Sequence, residues 1–95
     1  MYTAKWNDKV IAQSDKTVEI EGNQYFPLDS VNKDYLTDSD MQSICPWKGT
    51  ASYFSLNVNG ETSKDSAWTY KTPKEGAVSI AGHVAFHRTV EVTKS

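Results

Sequence analysis

Cys45-Pro46-Trp47-Lys48-Gly49 is the stretch whose residue types could do chemistry. A thiol close to a cationic amine can have a depressed pKa and act as a nucleophile. Pro46 biases Cys45 toward an extended backbone. Gly49 permits a turn, or a close ligand approach that a side chain would block. Lys48 is then a point cation for an anionic group, or an amine for covalent chemistry. The same segment also reads as structure alone, with Cys45 a small buried hydrophobe, Trp47 in the core and Lys48 a solvated loop charge.

A second cluster runs from Asp65 to Tyr70, with a carboxylate beside Trp68 and Tyr70. Together with Trp47 and Tyr53, these rings and a few polar groups match the usual build of a small-molecule site. Trp68 can equally be the main plug of a small core. Cys45, His83 and His87 are residue types that hold zinc. Two His four residues apart on a strand, however, lie roughly 13 Å apart along it, so no metal is expected. Asp38-Ser39-Asp40 imitates a magnesium-holding carboxylate pair, but no glycine-rich phosphate cradle accompanies it. No cofactor is expected either.

The elements that must position these residues are strands. The chain has 95 residues, 12% of them aromatic, with a net charge of -2. Large aromatics spread along a chain with recurring turn residues predict a mainly β domain. Asn7-Asp8-Lys9 and Asn59-Gly60 are hairpin turns. Val18 and Ile20 alternate with acids between two polar breaks. Thr50–Val58 carries bulk on both faces, as a central strand does. The return strand is expected in two pieces, Glu61–Ser63 and Ala67–Tyr70, and Pro73 stops it. Pro27–Ser43 is the least β-like stretch, with Asp29 or Ser30 capping a turn around Val31-Asn32-Lys33 and Thr37–Asp40 a polar loop. His83, Ala85 and His87 share one face of a late strand, with Val84 and Phe86 on the other. The whole chain, residues 1–95, reads as one domain of about 8 short strands with one or two helical turns. It is either an antiparallel barrel-like fold or a bent sheet sandwich.

The mildly acidic balance argues against a nucleic-acid partner. Nothing approaches the roughly 18 apolar residues of a membrane helix. Cys45 has no partner for an internal disulfide, and the first residues lead into a polar segment rather than an apolar leader. The expected location is therefore cytoplasmic. Whether the domain is a monomer or a homodimer stays open.

The joint pattern is more specific than its parts. It runs Cys45-Pro46-Trp47-Lys48-Gly49-x-Ala51-x-Tyr53, then Asp65-Ser66-Ala67-Trp68-Thr69-Tyr70 with Pro73, then Val84-Ala85-Phe86. Trp6, Ala12-x-Ser14 and Glu21-Gly22-x-x-Tyr25-Phe26-Pro27 add to it. This set closely resembles the domain-of-unknown-function family DUF427 over about residues 3 to 93. His87 departs from it, standing where the family usually shows an aromatic residue. The resemblance implies a small, mainly β domain, and the family carries a nucleotidyltransferase-like label. Here the Asp-x-Asp lies outside the shared motifs and no phosphate loop is present. Cys45, Lys48, Tyr53, Trp68 and Tyr70 belong to the shared pattern. The expectation is a domain binding a small molecule, anionic or nucleotide-like, with Trp47, Lys48, Tyr53, Asp65, Trp68 and Tyr70 as its site. The alternatives are an enzyme using Cys45 or Lys48 covalently, and a protein-interaction module without chemistry.

Overall fold

A computed structural model describes all residues, Met1–Ser95. Nine strands form three antiparallel sheets. The strands are β1 (Tyr2–Trp6), β2 (Lys9–Ser14), β3 (Val18–Ile20), β4 (Asn23–Tyr25), β5 (Leu36–Cys45), β6 (Gly49–Val58), β7 (Glu61–Thr69), β8 (Val84–Phe86) and β9 (Glu91–Lys94). The sheet orders are β2-β1-β9, β3-β4 and β5-β6-β7-β8. No sheet closes on itself, so the barrel alternative gives way to open sheets stacked on one another. Three short 3-10 segments, Leu28–Ser30, Lys33–Tyr35 and Glu75–Ile80, provide the only helical structure, and no helix is long and apolar enough to cross a membrane.

The period of two along the central strands sorts their side chains onto two faces. Phe54, Leu56 and Val58 of β6, Ala67 of β7, and Val84 and Phe86 of β8 point one way. They meet Ala4, Ile11 and Ala12 of the first hairpin, together with Phe26 and Val90. Ala51 and Tyr53 of β6, Trp68 and Tyr70 around the end of β7, and Ala85 of β8 point the other way. There they meet the β3-β4 hairpin through Val18, Ile20 and Tyr25, and the last 3-10 segment through Ala77 and Ile80. Phe26 ties the hairpin to β8 by a reciprocal pair of backbone bonds with Val84, each 2.8 Å.

Pro27–Ser43 departs most from the sequence expectation. Its second half belongs to β5, a ten-residue edge strand that takes in Asp38, Ser39 and Asp40. Polar and charged residues suit an edge strand, whose outer side faces water. Their turn-like composition masks the pairing, and the register with β6 slips between Asp38 and Gln42. Val31 is extended and bridges Ala12 instead of lying within a helical turn. Asn32, not Asp29 or Ser30, accepts a capping bond, from the Asp34 N–H at 3.1 Å. The return strand β7 is continuous. Its polar middle is a bulge in which Asp65 takes a φ of 54° and the register with β6 shifts.

Candidate functional site

Pro46, Trp47 and Lys48 form the turn between β5 and β6, and Cys45 pairs with Gly49 across its base. Gly49 sits at a φ of 111°, a backbone region that side-chain-bearing residues avoid. The turn is pinned from outside by Lys74. The Lys74 backbone N–H donates to the Lys48 carbonyl at 2.8 Å, and its ammonium donates to the Pro46 carbonyl at 2.7 Å.

This geometry leaves Trp47 on the surface, 43% exposed, and folds Lys48 inward to 6% exposure. A lysine so deeply buried needs a partner. The Lys48 ammonium donates to the Glu21 carboxylate, which lies on the β3-β4 turn and is 52% exposed. The ammonium also lies 5.5 Å from the ring centres of both Trp47 and Tyr70, within the range at which a ring face attracts a cation. Burial alone would lower the Lys48 pKa. The hydrogen bond to Glu21, together with the charge of its carboxylate, outweighs it and holds the amine above its ordinary value. The same hydrogen bond pulls Glu21 below its ordinary value. Burial raises the Tyr70 hydroxyl, against the opposing pull of the Lys48 charge.

Behind Lys48 the rings pack on each other. Tyr25 is fully buried and accepts a hydrogen bond from the Trp68 indole at 3.2 Å. Its ring centre lies 6.5 Å from those of Trp68 and Tyr70. Tyr53 is tilted against Trp68 at 6.0 Å and shares a 3.1 Å hydrogen bond with Ser43. Cys45 packs half-buried against this cluster.

The structure therefore gathers Cys45, Trp47, Lys48, Tyr53, Trp68 and Tyr70 along one face. It does not bring Asp65 to Lys48. The Asp65 backbone N–H bonds the Ser55 hydroxyl at 3.0 Å, and its carboxylate accepts from Ser39 of β5. Nor do the rings wall an empty pocket. They fill the space between them, and the open surface grooves lie elsewhere. One groove of about 430 Å³ borders the cluster through Tyr53, with Gln42, Ser52 and Lys71 along it.

Glu21 and Tyr25 are absent from the site predicted from the sequence. Their signal was the shared Glu21-Gly22-x-x-Tyr25 motif, together with the rule that a buried lysine requires an acid. A comparison with curated proteins finds no match. The family model described as a domain of unknown function (DUF427) matches residues 1–95, and the chain that carries this lysine-centred aromatic face belongs to that family.

Proposed function

We propose that the domain binds a small anionic molecule at the Lys48 end of the aromatic face. One observation carries this reading. A lysine only 6% exposed has as its salt-bridge partner a half-exposed glutamate on a surface turn. A carboxylate in that position can swing into water, leaving a cation flanked by two ring faces and open at the Trp47 rim. An incoming anion would meet Lys48 with much of its desolvation cost already met by folding.

The hydrogen bond that keeps Lys48 protonated favours an anchor over a covalent amine, since nucleophilic lysines need a depressed pKa. The surplus of acids over bases, 12 against 10, fits a small ligand better than a nucleic-acid backbone. A cytoplasmic setting, where Cys45 stays reduced, goes with this reading.

Thermal unfolding tests it with a panel of organic carboxylates, phosphates and nucleotides, on the wild type and on Lys48→Met. Methionine keeps the apolar stem and removes the charge. A ligand at a hundred times its dissociation constant should stabilise the wild type by about 2.7 kcal/mol. The same ligand should leave Lys48→Met unshifted. Equal shifts in both proteins, or no shift with any anion, would sink the assignment.

A further inference from the structure

The protein itself already supplies an anion to Lys48. Glu21 and Gly22 are the two central residues of the turn between β3 and β4, with φ of 55° and 81°. A turn with both central residues left-handed favours Asn, Asp or Gly, which tolerate that backbone. The chain follows this preference elsewhere. Four of its five non-glycine residues at positive φ are Asn7, Asp8, Asn59 and Asp65, and Glu21 is the fifth. Glutamate has no short side chain to bond its own backbone there, so its place in the turn is not explained locally. Its contact is. The Glu21 carboxylate receives the Lys48 ammonium and lies beside the Trp47 indole, while more than half of the side chain stays in water.

Charge also limits what can replace it. Lys48 is the ammonium aimed at this position, and the neighbouring Lys74 ammonium is already bonded to the Pro46 carbonyl. One positive charge among aromatic rings matches a singly charged acid. It would leave a dianionic phosphate under-neutralised in a partly desolvated place. We propose that the Glu21 carboxylate stands in for the ligand, so that the Lys48 site takes a carboxylate-bearing small molecule and Glu21 is displaced when it binds. This rests on the anion-binding reading above and adds the ligand's class and a built-in competitor.

The test is chemical rescue. Glu21→Gly removes the carboxylate and accepts the left-handed turn without strain. Glu21→Asn, which also tolerates that backbone, serves as a second variant should the first fold poorly. Acetate, benzoate and inorganic phosphate are titrated against potassium chloride at matched ionic strength, with the thermal midpoint as readout. The expected result is a saturable rise of roughly 5 °C or more in Glu21→Gly at ten times the carboxylate's dissociation constant. Wild type should need about tenfold more carboxylate for the same rise, because Glu21 competes for the site. The double variant Glu21→Gly with Lys48→Met should show only the chloride response. Saturable stabilisation by phosphate and not by either carboxylate would overturn the ligand class while leaving the anion site in place. Stabilisation by none of the three beyond the chloride control would overturn both.

Discussion

The two faces of the β5-β8 sheet come from the same strands, yet they are built differently. The buried residues of one face are all hydrocarbon, with Tyr2, Trp6 and Tyr35 packed only at its partly exposed margin. Ile11, Leu56, Val58 and Val84 are fully buried there, and Phe26 meets Phe86 edge-on at 5.6 Å between ring centres. The other face mixes Ala51, Ala77, Ile80 and Ala85 with large groups that carry polar handles. Tyr70 lies 5.5 Å from the Lys48 ammonium, the Trp68 indole donates to the Tyr25 hydroxyl, and the Tyr53 hydroxyl bonds Ser43. Burying such groups gains less than burying hydrocarbon, because each must replace its lost water bonds. The hydrocarbon face is the arrangement that stability alone selects. The aromatic face gives up some of that gain to hold a cation and several donors in fixed positions, as binding sites do.

The largest expected contrast comes from truncating one large residue on the hydrocarbon face. Phe26→Ala removes a fully buried ring and should cost about 3–5 kcal/mol, read as a fall in the urea midpoint. Since a small domain has only about 5–15 kcal/mol in hand, this variant should approach unfolding. On the aromatic face, Trp68→Phe keeps a ring but loses the bond to Tyr25 and part of the indole volume. Its cost should be about 1–3 kcal/mol. A loss as large as that of Phe26→Ala would put the two faces on an equal footing and remove the distinction drawn between them.

How legible each face was in the sequence follows from the same difference. The alternation of Phe54, Leu56 and Val58 with Ala51 and Tyr53, and of Val84 and Phe86 with Ala85, assigned most of the central sheet to its two sides. The Cys45-Gly49 segment and the Trp68-Tyr70 pair marked one end of the site. Period and turn chemistry carry such information because they are local. The Glu21-Gly22-x-x-Tyr25 motif marked Glu21 without giving its role, because that role depends on Lys48, 27 residues later in the chain. Asp65 misled for the complementary reason. It is a neighbour of Trp68 in sequence, but the bulge turns it toward Ser39 and Ser55. β5 was hidden because edge strands tolerate the polar residues that elsewhere signal loops.

The smallest effect should come from the ion pair, and its sign with pH separates the faces most cleanly. The Glu21 carboxylate is more than half exposed, so water and salt screen much of its attraction to Lys48. Its pKa in the folded protein is lowered, chiefly by the hydrogen bond from Lys48. A lowered carboxylate contributes stability that is fully present above its unfolded value of 4.5 and is lost as the pH falls through the folded value. Lys48 is raised above its ordinary 10.5, so its contribution is fully present below that value and is lost only as the pH rises past the raised one. The pair should therefore be intact across neutral pH and fail first on the acid side. Urea midpoints of wild type and Lys48→Met, measured from neutral pH down past 4.5, should converge as Glu21 takes up its proton. No titratable group belongs to the buried hydrocarbon cluster, so the loss caused by Phe26→Ala should stay constant over the same range. If the midpoints of wild type and Lys48→Met ran parallel through that range, Glu21 would not be titrating against Lys48. The aromatic face would then differ from the hydrocarbon face in packing alone.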